Sequence, residues 1–352
     1  MFEFKVWNLQ ENTHEYDEYI KRCLIYTPYH LTEYLLAEEM AEEGVTKIFL
    51  YKDENQFALF PMVIRKVNGL FPLLKGGDNI YDMITPHEYG GILSNCPSGR
   101  LLDELLKSTF YYCRQNNIIF QFIRLNPYLR DLPIHFINND YELIHSCSQV
   151  YVDLSQSKEE IEHHYKSNVR WGIRRSKREN LCFEIADKTK ENIDIFKCMY
   201  EKAMERLNAE KFLYFNDKYF QSLMKCECSR LCFAKDYDGT VAASSILLLG
   251  QEEVYYHLSC LDRKYAPKQP MNFLLDAMIF WSKEMGYKKF HIGGGSKGLL
   301  QFKEGYSKER IDYYIGYRIC DKDKYMEVCN LWKKQFPQYT DKKYYPLYRY
   351  RE

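Results

Sequence analysis

Lys303 is the residue around which a reactive constellation can be assembled from the sequence. It stands ten residues past Gly293, the first of three consecutive glycines, in the run HIGGGSKGLLQFKEGY, with Phe302 and Glu304 on either side of it. A strand that runs straight into Gly293, Gly294 and Gly295 lets a ligand come close to its backbone. An ammonium fixed nearby, with Lys297 between, suits an anionic group such as a phosphate or an oxyanion. A glycine-rich turn followed by a surface lysine is the other reading of the same residues.

A second concentration of charge lies in IEHHYKSNVRWGIRRSKREN, which reads as one helix over 159–180. At about 100° per residue, Lys166, Arg170, Arg174 and Lys177 share an arc of roughly 80°. Ile161, Tyr165, Val169 and Ile173 cover the neighbouring face and point to the core. Such a basic strip could hold a diphosphate or a nucleic-acid backbone, or be a solvated face. A third segment, DMITPHEYGG, offers Asp82 and His87 as general bases and Tyr89 before two glycines where a ligand could touch backbone. Either base could equally be a structural hydrogen-bond partner. Arg65, on the preceding strand, joins Tyr89 in the expected substrate-binding set. In the strand over 253–261, alternation puts Tyr255, His257 and Ser259 on one face and Tyr256 and Leu258 on the other. Tyr256 and His257 complete the set, although His257 also suits a core.

The elements that must position these residues occur twice in one order. A hairpin over 47–67, an extended segment over 80–93, a helix over 100–115 and a strand over 118–125 form the first series. A hairpin over 231–249, a strand over 253–261, a helix over 271–285 and a strand over 288–292 form the second. The interval from Lys47 to Ile118 is 71 residues and that from Leu231 to Lys288 is 57. The difference is about the length of the loop over 68–80, which holds Gly69, Pro72, Gly76 and Gly77. Two copies of one α/β unit, each a mixed sheet with flanking helices, account for this order, with domains at 1–149 and 150–352. A parallel pair joined by a helix binds ligands at its carboxyl ends. That rule gathers Asp262, the three glycines and the start of the helix at 271 around one cleft.

Composition narrows the classes. The 49 basic and 49 acidic residues of the 352 cancel, so no overall field attracts DNA and any basic site is local. Twelve cysteines without a leader segment suggest reduced thiols and a cytoplasmic protein. Cys226, Cys228 and Cys232 lack zinc-ligand spacing, so no metal is expected. No apolar run nears the ~20 residues of a membrane span. GxSxG, HExxH, a Walker loop and GxGxxG are all absent from the sequence.

The doubled unit resembles two tandem GNAT-type acyltransferase folds. The closing run Gly298-Leu299-Leu300-Gln301-Phe302-Lys303-Glu304-Gly305-Tyr306 resembles the signature of the Fem (FemABX-like) family, the bacterial peptidoglycan-bridge aminoacyltransferases. SNVRWGIRRSKRENLCFEI resembles that family's Arg-rich helix and strand, and DMITPHEYGG its first-domain stretch. The resemblance implies transfer of an aminoacyl group from aminoacyl-tRNA to the amine of a UDP- or lipid-linked muropeptide in cell-wall synthesis. It implies a cleft between two domains, Lys303 as an electrostatic catalyst and Asp82 as a binder or base for the acceptor amine. Lys166, Arg170 and Arg174 would then hold phosphate. The junction over 262–272 has no glycine to cradle a CoA pyrophosphate, so no cofactor is expected. Two alternatives stand beside this: an N-acyltransferase of amino sugars that uses acyl-CoA or a carrier protein, and a non-catalytic binding module.

Overall fold

The computed structural model describes residues 2–74, 79–129 and 132–350, so Gly76 and Gly77 of the loop over 68–80 lie outside the described residues. The chain forms two compact units, Met1–Ser146 with Tyr313–Glu352, and Cys147–Asp312. This corrects the expected second domain of 150–352, because the last forty residues, Tyr313–Glu352, return to the first unit.

In the first unit the strands are β1 (Glu3–Asn8), β2 (Val45–Lys52), β3 (Phe57–Lys66), β4 (Tyr81–Ile84), β5 (Leu93–Ser94) and β6 (Ile118–Arg124). The helices are α1 (Thr13–Ile20), α2 (Thr32–Glu42), α3 (Gly99–Gln115) and α4 (Leu132–Asn138). β7 (Glu142–Asp153) carries the chain into the second unit. There follow α5 (Lys158–His164), α6 (Ser167–Arg178), β8 (Cys182–Ala186), α7 (Lys190–Leu207), α8 (Asp217–Lys225), β9 (Ser229–Lys235), β10 (Val241–Leu249), β11 (Glu253–Leu261), α9 (Pro270–Glu284), β12 (Lys289–Gly293) and α10 (Lys297–Lys303). β13 (Arg310–Ile319) brings the chain back, and α11 (Lys322–Gln335) follows it.

Both units contain the expected series. In the first, β2 and β3 form the antiparallel hairpin, and β4 runs parallel to β6 through α3. In the second, β9 and β10 form the hairpin, and β11 runs parallel to β12 through α9. Helix α3 forms where Leu101, Leu102, Leu105, Leu106, Thr109 and Cys113 recur at helical spacing and are buried. β3 reads FALFPMVIRK and is buried along nearly its whole length, as a strand covered on both faces must be. β13 joins the first unit because it pairs antiparallel with β6, from Ile315 opposite Arg124 to Ile319 opposite Phe120. Trp332 and Tyr348 then bury themselves with Val63, Ile84, Phe120 and Phe122.

The single helix expected over 159–180 is two helices. Ser157 caps α5, accepting from Glu160 N at 3.2 Å while Glu160 Oε2 accepts from Ser157 N at 2.7 Å. The chain then becomes extended at Tyr165, with φ −64° and ψ 133°. Tyr165 is buried edge-on against Tyr306, 5.3 Å between ring centres, and Lys166 N donates to Gly305 O at 2.8 Å. Tertiary partners thus interrupt the helix for two extended residues, Tyr165 and Lys166.

Candidate active site

In the second unit β11 and β12 pair only from Glu253–Lys289 to Tyr255–His291. Beyond that the two strands part. Gly293 turns to Val150 of β7, and β11 stays with β10. On β11 a bulge lies between Tyr256, opposite Leu247, and Leu258, opposite Ile246, leaving His257 as the extra residue. The bulge corrects the simple alternation read from the sequence. Ser259 moves to the face of Tyr256 and hydrogen-bonds with it, away from His257, whose Nε2 lies 3.0 Å from the Tyr219 hydroxyl.

Lys303 ends α10 and is 7% exposed. Its Nζ donates to Gly294 O at 2.6 Å and lies 5.8 Å from the centre of the Tyr256 ring. The glycines have separate duties. Gly293 and Gly295 take φ of 82° and 140°, the left-handed region that side chains avoid. A Cβ on Gly294 would stand 2.8 Å from Cys147 Sγ, so that position is filled by packing rather than left open for a ligand. The Tyr256 hydroxyl donates to Met271 Sδ at 3.3 Å, and burial holds that phenol above its ordinary range.

The starts of α6 and α9 meet beside this turn. Tyr306 donates to Asn272 Oδ1 at 2.7 Å, and Gly305 packs on Val169. A Cβ on Gly172 would collide with the Asn272 amide, so α6 approaches α9 closely only because Gly172 lacks one. Asp276, one turn further along α9, is buried, and burial pushes its carboxyl up to about 6 against the pull of Lys177, whose Nζ is 4.0 Å away. Tyr256, Gly293 and Gly294 therefore gather around Lys303, while His257 faces Tyr219. Lys166, Arg170 and Arg174 are exposed on or at the start of α6, and Lys297 is exposed at the start of α10. Met271 and Asn272 carry no sequence signal that would have marked them. Tyr306 does, as the aromatic that closes the Phe-Lys-x-Gly run. Between β11 and α9 the chain makes a 3-10 turn, Arg263–Lys268, with Asp262 Oδ1 accepting from Lys264 N at 2.9 Å.

The first-unit candidates serve structure instead. Asp82 is fully buried. Its Oδ1 accepts from Arg65 Nε and Arg349 Nη2, each at 2.9 Å, and its Oδ2 from Arg349 Nε and, at 3.2 Å, the Tyr348 hydroxyl. Four donors saturate a carboxylate, so the geometry overturns Asp82 as a base or amine ligand. Arg65 also donates to Glu42 at 2.5 Å, which removes it from the substrate-binding set. Burial opposes the charge on Glu42, yet Arg65 and Arg124 pull it down to about 2. Tyr89 is 3% exposed, edge-on to Tyr29 and Tyr313, so it too is a packing residue. A Cβ on Gly90 would meet Thr85 at 2.7 Å, and one on Gly91 would meet Leu132 at 2.7 Å. The first-unit pair also rejoins: Gly90 N donates to Arg124 O, and Asn126 N to Gly90 O, both at 2.8 Å. His87 lies beside buried Glu38, whose Oε2 accepts from His87 N at 2.6 Å. Burial pushes Glu38 up to about 7, and His87, despite its burial, is held above the usual imidazole range by Glu88 and Glu38. Among the described residues, no cluster of three or more His, Cys, Asp or Glu side chains is arranged to hold a metal ion.

Comparison with known proteins bears on the fold. Residues 163–304, from just before α6 to just past Lys303, match the family model of the acetyltransferase (GNAT) domain. No curated protein sequence matches the chain. Among solved structures, FemX superposes with a TM-score of 0.68 at 12% identity, over 93% of this chain and 99% of FemX. L-PGS from Bacillus licheniformis superposes at 0.58 and 17% identity, covering 86% of this chain and 91% of its own. The C-terminal domain of a protein assigned as a lysylphosphatidylglycerol synthetase in Agrobacterium fabrum gives 0.59 at 13% identity, over 88% and 92% of the two chains. The chain therefore has the fold of FemX over most of its length, with the match to the acetyltransferase (GNAT) domain lying in its second unit.

Proposed function

We propose that the chain is an acyltransferase that forms an amide, moving an aminoacyl group from aminoacyl-tRNA to the amine of a UDP- or lipid-linked cell-wall precursor. The observation that carries this reading is the buried Lys303 ammonium at the parted ends of β11 and β12. In the reaction the acceptor amine attacks the ester carbonyl, the C–N bond forms and the carbonyl oxygen becomes an oxyanion. Collapse breaks the C–O bond, the ribose hydroxyl leaves, and the amine gives up a proton. Lys303 leaves its carbonyl partner and stabilises the oxyanion or a donor phosphate. Among the described residues the β11–β12 ladder ends at Tyr255, and we assign backbone N–H groups of β11 beyond it to the same oxygen. Lys166, Arg170 and Arg174 bind phosphate, and Tyr256 lines the donor's path. No cofactor is required.

Lys303→Met should raise the barrier by ~2–4 kcal/mol, the cost of losing one oxyanion donor. Single-turnover kinetics on a variant of unchanged melting temperature measures this, and wild-type turnover would remove Lys303 from the chemistry. A second reading, N-acylation of an amino sugar from acyl-CoA, is favoured by the match to the acetyltransferase (GNAT) domain. Against it stands the 3-10 turn Arg263–Lys268, which has no glycine and contains Pro267. Thermal shift with CoA thioesters against UDP-muropeptides separates the two. The resemblance also supports a cytoplasmic, bacterial setting. Among the described residues no helix is long and apolar enough to cross a membrane.

A further inference from the structure

We propose that the exposed face of α6 is a docking surface for an anionic lipid bilayer. Between Ser167 and Arg178 the helix carries Arg170, Arg174, Arg175, Lys177 and Arg178 and no acidic residue, in a chain whose charges sum to zero. Val169, Gly172, Ile173 and Ser176 are buried. On the opposite side Trp171, Arg174 and Arg178 fall within an arc of about 60° at the helical repeat. Trp171 is 51% exposed, an unusual position for the largest apolar side chain. Arg175 is engaged by Glu179 at 2.6 Å. Arg174 and Arg178 have no acidic partner within salt-bridge distance among the described residues.

The patch continues past the helix. Ser176 Oγ lies 2.8 Å from both Lys268 O and Gln269 O, which binds the turn Arg263–Lys268 along the end of α6. Arg263 and Lys264 of that turn are exposed. Tyr237, 78% exposed, sits under the Lys268 ammonium at 5.4 Å, an ammonium that Asp236 pairs at 2.7 Å, so the cations this turn offers are Arg263 and Lys264. Indole and phenol tips set among lysines and arginines are the composition of a membrane–water interface: the cations meet anionic headgroups and the ring enters at their level.

RNA fits this surface less well. Duplex RNA has a deep, narrow major groove that shuts out a helix, and single strands bind in grooves lined by successive aromatic rings. Trp171 instead stands on the convex side of a helix. The proposal shares Arg174 with the phosphate-binding set but is carried by Trp171, Arg178 and the adjoining turn, and it holds if the transferase reading fails.

The test is co-sedimentation of the full chain with phosphatidylcholine vesicles, with and without an equal part of phosphatidylglycerol, together with tryptophan emission. Binding should require the anionic lipid, reverse in high salt and shift the emission to the blue. In Trp171→Phe the blue shift should be lost. Trp171→Ala combined with Arg178→Glu should weaken binding by at least about tenfold, since each basic residue near the surface contributes roughly 1 kcal/mol, with an unchanged melting temperature. Equal binding to neutral vesicles, or full binding by a folded double variant, would overturn the proposal. So would tighter binding of a single-stranded RNA oligonucleotide that the same two substitutions abolish, because the face would then be a nucleic-acid surface.

Discussion

Two buried carboxylates show how environment, rather than residue type, assigns a role. Asp82 was a candidate base by type, but two guanidinium groups and a phenol saturate it. Asp82→Asn should destabilise the first unit by about 3–5 kcal/mol, the cost of breaking a buried ion pair from one side. Chemical denaturation measures this, and turnover per folded molecule should not change. Glu38 behaves oppositely. Below 4.5 it is protonated in both folded and unfolded chains; from 4.5 to about 7 the unfolded chain releases the proton and the folded chain keeps it. Stability therefore falls as pH rises through that window, by at most about 3 kcal/mol from this group. His87 acts in the same direction, since its raised value contributes stability at low pH that is lost as pH rises through it. Glu38→Gln should flatten the decline in melting temperature across the window. A variant whose decline matches wild type would remove Glu38 as its source.

At the scale of elements, the approach of α6 to α9 decides where the basic helix stands relative to Lys303. Gly172 permits that approach, and Asn272 uses it to hold Tyr306, whose neighbour Gly305 accepts from Lys166 N. Gly172→Ala should cost about 1–3 kcal/mol by overpacking. It should also lower turnover more than Lys297→Ala does, because it displaces the Lys303 turn. Paired measurements of melting temperature and kcat test this, and a stable, fully active Gly172→Ala enzyme would contradict it. The glycine run before Lys303 is an element-scale device too, with two positions serving conformation and one serving contact with Cys147.

Taken whole, the molecule does not divide where its repeat divides. The first unit needs Tyr313–Glu352, which supplies β13, the Trp332–Tyr348 side of its core, and Arg349 for Asp82. A fragment ending at residue 149 should fail to fold by circular dichroism, with an open edge on β6 and Asp82 held by Arg65 alone. Linking residues 313–350 to that fragment should restore cooperative unfolding. Cooperative unfolding of the short fragment would show that the C-terminal segment is dispensable.

Local pattern was enough for the doubled hairpin–strand–helix–strand order, because periodicity, turn residues and helix caps act within a few residues of each other. The contact of Lys303 with Gly294 O is equally local, since α10 and its glycine turn are contiguous in the chain. Local pattern failed where partners come from far away in sequence. Asp82 meets Arg349 across 267 positions, and Tyr165 breaks a helix to reach Tyr306. Whether a carboxylate is a base or a buried strut, and whether a strand pair parts or rejoins, depends on which distant donors arrive. Only the tertiary structure decided that.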